Sequence, residues 1–485
     1  MTAVEPVRTN SIPALCVDLD GTLLRTDSLI ESILDFAKRH PLLLPCLPFW
    51  AMEGRAQFKR RLAGYVTLDA ATFPYHRQLL EYLREQHAAG RKLVLATGAD
   101  ESIARAVAEH LGIFDEVIAS DGVHNYSGRA KRQELARRFG DKGYDYAGNS
   151  RVDLEVWADC HAVLPVACSA SVERRASELA PIVKTFPSES SPAALIKAMR
   201  IHQWVKNIII FLPLIASHRL GQWASFSAAS VAFVCFSFCA SGAYLLNDLL
   251  DLSDDRRHES KRNRPFASGR APLAPALPLI GLLVAAAFVM ALSLPRSFTV
   301  VLAVYFAMTL SYSLYFRRKQ LVDVFVLAAL YTIRMIAGHA AASVKYSTWL
   351  LGFCMFIFLS LAMAKRAAEV YEYRRREKPD ARGRGYRDSD LEVLTSTGLA
   401  SGAMAVLILA VYITSPDVTI LYKSPMLLLL VCPLIFYWIV RVWLLVLRGH
   451  MRGDPVLFAL TDRVSYYVAI LSAIIVVVAT KTSYP

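Results

Sequence analysis

The chain has 485 residues, 55% of them hydrophobic, and a mean hydropathy of +0.36. That is too apolar for a water-soluble protein of this length and predicts several membrane spans. The net charge of +13 does not point to nucleic acid, because Lys and Arg gather in loops between apolar runs, the pattern of a cytoplasmic membrane face.

Eight cysteines, without CxxC or Cys/His metal spacing, predict free thiols, with Cys235 and Cys239 as packing residues of one apolar helix. The opening segment MTAVEPVRTNSIPA has no apolar core of signal-peptide length, so the first part of the chain is expected in the cytoplasm. Short apolar strands are predicted at Pro13–Val17, Lys92–Ala96, Val117–Ala119, Tyr144–Ala147 and Val163–Val166, mostly separated by helices. This is the pattern of an α/β, Rossmann-like parallel sheet, which binds ligands at the carboxyl ends of its strands. Asp18, Asp20, Thr97 and Asn149 fall there.

The DLDGT stretch, Asp18–Thr22, resembles the signature of the haloacid dehalogenase superfamily of aspartyl phosphatases. The resemblance implies that Asp18 attacks phosphorus and that Asp20 protonates the leaving group. It implies that Thr97, in LATG, binds phosphate, and that Lys131, in AKRQE, offsets charge, with Arg132 as the competing basic residue. It also implies Mg²⁺ on Asp18, Asp20 and Asn149. The last motif reads GNSRVD, Gly148–Asp153, with Asn149 where the family carries Asp; an amide oxygen ligates Mg²⁺ with less charge. The helical stretch Ser28–Arg84 is expected to form a small cap over the site. Within it, PLLLPCLPFWAM, Pro41–Met52, is too short and too proline-rich to span a bilayer. It suits the membrane surface, the second domain, or a buried cap core.

Thr185–Pro192 is a Pro/Ser-rich break. It places a phosphatase-like domain at 1–184, a linker at 185–193 and a membrane domain at 194–485. Apolar runs begin at about Trp204, Phe226, Ala276, Phe298, Val322, Ser347, Leu394, Met426 and Val464, which predicts an all-α polytopic domain of about nine spans, the first one short. With the N-terminus inside, Arg256 to Arg270, Arg317 to Lys319, Lys365 to Arg387, and Arg448, Arg452 and Arg463 all fall inside, and the C-terminus falls outside.

After the second apolar run comes NDLLDLSDDRRHESKRNRPFASG, Asn247–Gly269. On a helix, Asp248, Asp251 and Asp255 share one face, with Asn247 beside them, while Asp254 points away into solvent. Such hard oxygen ligands suit Mg²⁺. Lys261, Arg262, Arg264 and Arg270 follow and suit phosphate oxygens. Three more constellations are expected on the same side: Lys206 in HQWVKN; Asp323 with Tyr331 and Arg334; and Lys365, Arg366 and Glu369 leading into RGRGY. Together they are expected to outline one cavity for a metal and phosphates, with Arg334 facing its polar part.

The NDxxDxxxD pattern, Asn247 to Asp255, resembles the first metal motif of the UbiA superfamily of intramembrane prenyltransferases. HQWVKN, the run to Pro265, and Lys365–Glu369 resemble its decaprenyl-phosphate phosphoribosyltransferase branch. The second DxxxD motif of aromatic prenyltransferases is not intact after Asp323, since Leu327 holds its last position. The branch resemblance implies an integral protein of the plasma membrane that transfers 5-phosphoribose from phosphoribosyl pyrophosphate to a polyprenyl phosphate. It implies Mg²⁺ on Asp248, Asp251 and Asp255, with Asp323 as a further candidate. Lys206, Lys261, Arg262, Arg264 and Lys365 are then the charge-neutralising groups. Prenyl transfer from a prenyl diphosphate to an aromatic acceptor is the alternative reading, with an inactive or regulatory phosphatase-like domain.

Overall fold

A computed structural model describes residues 12–375, 385–451 and 453–482. The N-terminal segment before Ile12, residues 382–384 of RGRGY, and Arg452 lie outside the described residues. The chain divides into two compact units. One comprises the residues up to Met199 together with Tyr244–Leu279; the other comprises Arg200–Ala243 and the described chain from Ile280 onward.

In the first unit, five parallel strands stand in the order β3-β2-β1-β4-β5. They are β1 (Ala14–Val17), β2 (Leu93–Asp100), β3 (Glu116–Ser120), β4 (Tyr144–Gly148) and β5 (Ala162–Pro165). Strand β1 is central, with Val17 paired to Leu95 on one side and Ala147 on the other. Every residue of β1, β4 and β5 is buried, as in strands covered on both faces; β1 and β5 are continuous apolar runs, and the one charged residue of β4, Asp145, is paired with Arg91. Between Ala96 and Asp100 the β2–β3 register shifts, which places Thr97 where the regular ladder ends.

The cap runs through Ser28–Arg39, Pro41–Cys46, Leu47–Met52 and Arg55–Ala63. Asp27 caps the first of these by accepting from the Ile30 amide at 2.9 Å. Phe36, Trp50 and Tyr65 meet with ring centroids 5.4 to 5.5 Å apart, which ties the short apolar helices down to the cap.

The second unit is helical. Among the described residues, seven helices have the length and composition to cross a membrane: Trp223–Leu250, Arg296–Leu314, Val322–Ala342, Thr348–Glu372, Asp388–Ile413, Pro425–Leu447 and Arg463–Lys481. Two expected spans differ for physical reasons. The run from Trp204 is a tight 3₁₀ stretch, Ile201–Phe211, followed by a five-residue helix, Leu212–Ala216. The run from Ala276 is a helix of 16 residues, Ala276–Ala291, whose length of about 24 Å falls short of a hydrocarbon core of about 30 Å. The chain is a multi-pass membrane protein. Its core is close-packed: a Cβ on Gly338 would stand 2.0 Å from the Ile210 carbonyl oxygen, so Val322–Ala342 lies against the 3₁₀ stretch only because that residue is glycine.

Candidate active sites

The first site lies at the carboxyl ends of β1, β2 and β4. Asp18 leaves β1 with its amide bonded to the Ala147 carbonyl at 3.0 Å. Of the two basic residues, Lys131 is the one that reaches Asp18. Its ammonium donates to Asp18 Oδ1 at 2.8 Å and to the Tyr146 hydroxyl at 2.7 Å, whereas Arg132 forks onto Asp159. Tyr146 in turn donates to Asp153 Oδ1 at 3.1 Å. The other oxygen of Asp153 collects the amides of Asn149 and Ser150 at 3.0 and 2.9 Å and the Ser150 hydroxyl at 2.9 Å. Asp153 therefore shapes the loop that carries Asn149. The side-chain amide of Asn149 lies over Gly21, where a Cβ would come within 2.1 Å of Nδ2, so the glycine of DLDGT lets the two loops touch.

Asp20 accepts from the Ser28 amide at 2.7 Å and from the Ser28 hydroxyl at 3.0 Å. Burial, with the nearby Asp27 carboxylate, pushes Asp20 up to about 7. Burial also raises Asp18, against the opposing pull of Lys131. Thr97 is buried, and its hydroxyl accepts from the Ala99 amide at 3.0 Å. A pocket of about 110 Å³ opens beside Asp20, lined also by Asp27, Ser28, Ser32, Lys59 and Asp100. Lys59 comes from the cap and donates to Asn125 at 3.0 Å. Sequence reasoning missed it because one lysine among three adjacent basic residues carries no local signal.

The second site is the Asn247–Gly269 stretch. Helix Trp223–Leu250 ends at Asp251, and a short helix, Leu252–Arg257, continues. The Asp251 amide bonds the Asn247 carbonyl at 2.9 Å and the Asp255 amide bonds the Asp251 carbonyl at 2.8 Å, so helical spacing persists through the break. The side chains nevertheless part. One nitrogen of Arg264 donates to Asp248 at 3.1 Å and to Asp255 at 2.7 Å. Asp251 meets Lys38 of the Ser28–Arg39 helix at 3.3 Å. Asp254 is exposed, as expected, but accepts from the same Lys38 at 2.8 Å. Burial raises Asp255 to about 6, with Arg264 opposing. Asn247 and Lys261 are half-buried and Arg262 is exposed. Arg256 forks onto Glu31 at 2.6 and 2.8 Å.

Among the described residues, no three Asp, Glu, His or Cys side chains converge closely enough to hold a metal. The donor chemistry still fits a hard cation, since Arg264 already places one positive group between two of the carboxylates.

The third site lies in the second unit. Lys206, Tyr331 and Lys365, far apart in sequence, converge on one buried carboxylate, Asp454. Lys206 donates to Asp454 Oδ2 at 2.7 Å, Lys365 to the same oxygen at 3.1 Å, and Tyr331 lies 3.0 Å from each oxygen. Burial disfavours the charge on Asp454, but Lys365 and Lys206 outweigh it and hold the carboxyl below the usual range. Asp454 also caps the short helix Pro455–Ala459, accepting from the Val456 amide at 3.1 Å; sequence reasoning missed it because an Asp before Pro reads as a helix cap alone.

Two expected members stand outside this cluster. Asp323 is fully buried; Arg366 Nε donates to one oxygen at 2.5 Å and the Tyr386 hydroxyl to the other at 2.6 Å. Arg334 does face polar groups, donating to Asn207 at 2.8 Å and to the Tyr305 hydroxyl at 3.2 Å.

Residues 208–478, more than half of the chain, match the sequence model of the UbiA prenyltransferase family. The chain belongs to that family. Residues 15–156 match the model of haloacid dehalogenase-like hydrolases, so a UbiA-type transferase domain and a hydrolase-like domain share one polypeptide. The combined chain is 36% identical to an uncharacterised protein, y4nM, of Sinorhizobium fredii, over 95% of this chain and 90% of that one. It is 35% identical to the nodulation protein NoeC of Azorhizobium caulinodans, over 55% of this chain and 86% of that one. The decaprenyl-phosphate phosphoribosyltransferase of Mycolicibacterium smegmatis is 37% identical over 38% of this chain and 59% of its own length. UbiA membership agrees with the apolar helices.

Proposed function

We propose that this UbiA-family protein transfers 5-phosphoribose from phosphoribosyl pyrophosphate to a polyprenyl phosphate in the plasma membrane. Its hydrolase-like domain, on the cytoplasmic side, then removes the 5-phosphate. The observation that carries the reading is the convergence of Lys206, Lys365 and Tyr331 on one oxyanion, Asp454. Two ammonium groups and a phenol around a single oxygen-bearing anion make an environment suited to phosphate, because two positive charges remain against one negative. The 37% identity to a phosphoribosyltransferase supports the same substrate class.

In the transfer step an oxygen of the prenyl phosphate attacks the anomeric carbon. The carbon–oxygen bond to pyrophosphate breaks, and pyrophosphate leaves with that electron pair. The nucleophile is already an anion, so the protein's task is to position two anions and neutralise their charge. Lys206 and Lys365 serve the phosphate groups, and Lys261, Arg262 and Arg264 serve the pyrophosphate. Asn247, Asp248, Asp251 and Asp255 are the residues that would hold Mg²⁺, which supplies charge neutralisation to the leaving pyrophosphate. Asp323, with both oxygens engaged by Arg366 and Tyr386, serves as an anchor between helices.

In the hydrolase-like domain Asp18 attacks phosphorus and the ester oxygen leaves with a proton from Asp20. Water then attacks the aspartyl phosphate, Asp20 takes a proton from it, and the phosphorus–oxygen bond to Asp18 breaks, releasing inorganic phosphate and the free Asp18 carboxylate. Thr97 and Lys131 bind the transferred phosphoryl group, and Asp18, Asp20 and Asn149 would hold Mg²⁺ there.

The test is a mass-spectrometric product assay on detergent-purified protein with Mg²⁺, a long-chain polyprenyl phosphate and phosphoribosyl pyrophosphate. The expected product is a ribosylated lipid without its 5-phosphate. A lipid that keeps the phosphate would refute the hydrolase role alone. No ribosylated lipid at all would refute the transferase reading.

A further inference from the structure

The cap segment Pro41–Met52 has no role in either reaction, and its side chains face two ways. Its inner side is satisfied: Trp50 stacks on Tyr65 at 5.4 Å and meets Phe36 edge-on at the same distance. Its outer side is apolar and bare, with Leu42 92% exposed, Phe49 69% and Met52 83%. A segment needing only to fill the cap core would present polar residues outward.

The flanking charge is one-sided. Residues 38–61 hold six Lys or Arg and one acidic residue, Glu53. Arg39, Arg55, Arg60 and Arg61 are exposed, with Arg39 paired to Asp35 at 2.8 Å, Arg61 to Glu53 at 2.7 Å and Arg60 to Asp100 at the longer distance of 3.5 Å. Arg61 lies over the Trp50 ring at 5.5 Å, so part of the positive charge sits directly beside the apolar segment. Exposed apolar residues bordered by basic ones are the composition of an element lying in the boundary between headgroups and acyl chains of an anionic membrane.

We propose that Pro41–Met52 is an interfacial membrane anchor, with Leu42, Phe49 and Met52 in the lipid and Arg55, Arg60 and Arg61 on anionic headgroups. The occupant of this face is the bilayer in which the same chain is embedded. Opposite charge selects lipid over another basic protein surface, and the multi-pass segments keep lipid always at hand. The next helix, Arg55–Ala63, carries Lys59 into the Asp20 pocket, so the anchor and the pocket wall are one element. The inference stands on exposure and charge and does not depend on which phosphate the pocket takes.

The test uses the full-length protein in nanodiscs of phosphatidylcholine with a minority of phosphatidylglycerol, doped with a phospholipid bearing a photoactivatable diazirine in its upper acyl chain. After illumination, peptide mass spectrometry locates lipid adducts. Adducts are expected on residues 41–52 as well as on the helix Trp223–Leu250, which serves as the internal standard. Leu42→Asp with Phe49→Asp should lower the cap adducts about tenfold relative to that standard. Arg60→Glu with Arg61→Glu should lower them in the anionic nanodiscs and leave little difference when phosphatidylglycerol is omitted. Wild-type protein with adducts on the spanning helix and none on residues 41–52 would overturn the proposal. So would cap adducts indifferent to both variants, or a segment that cross-links to a second copy of the chain in place of lipid.

Discussion

Lys206 and Lys365 donate to the same oxygen, Asp454 Oδ2, at 2.7 and 3.1 Å, from positions 248 and 89 residues away in the chain. Neither lysine is near the other in sequence, and the residue that gathers them is a buried acid.

Lys206→Ala and Lys365→Ala are each expected to lower ribosyl transfer by about 10²–10³-fold, the usual effect of losing one preorganised group at a developing charge. Asp454→Asn keeps the shape of the cluster but removes its counter-charge, so it should also impair transfer, with the larger change in KM. Steady-state assays with labelled phosphoribosyl pyrophosphate measure both.

Asp18→Asn should abolish hydrolysis and leave transfer intact, because the nucleophile belongs to a separate site. The expected result is accumulation of a ribosylated lipid heavier by one phosphate. If the final lipid equals that of the wild type, the proposed coupling of the two domains fails.

Asn149→Asp adds a full charge to a loop already shaped by Asp153, whose Oδ2 holds the Asn149 amide at 3.0 Å. The Mg²⁺ concentration that half-activates the hydrolase domain should fall about tenfold. A metal titration of phosphatase activity against a generic phosphate ester reads this directly.

Arg256 and Glu31 form a forked ion pair with both side chains only 4% exposed. Arg256→Ala leaves the Glu31 carboxylate buried without this partner and should cost about 3–5 kcal/mol in the first unit. The double variant Glu31→Ala, Arg256→Ala should cost less than the sum of the two single variants. Limited proteolysis with increasing denaturant follows that unit.

Gly338→Ala places a methyl group 2.0 Å from the Ile210 carbonyl oxygen, and backbone cannot yield as a flexible side chain can. The variant should lose about 1–3 kcal/mol or more. Fluorescence-detected gel filtration after heating in detergent would show a lower midpoint of aggregation.

The sequence by itself determined the local features. Short apolar strand runs, turn glycines and span composition are short-range properties, so the five strands and most membrane helices were legible within a few residues of their ends. DLDGT and NDxxDxxxD were equally visible, because each is a run of groups at fixed close spacing. Tertiary structure alone decided which distant groups meet. Lys131 rather than Arg132 reaches Asp18 because helix Arg129–Phe139 turns one face toward β1. Asp251 leaves its neighbouring acids for Lys38, and Asp323 is engaged by Arg366 and Tyr386. Asp454 reads locally as no more than the cap of Pro455–Ala459, and its further meaning appears only when two lysines from other elements are brought to it. Span geometry belonged to both levels: composition marked about nine apolar runs, and the backbone made one of them a 3₁₀ stretch and another a helix of 16 residues. Hydrophobicity is a property of residues, whereas reach across a bilayer is a property of the helix they form.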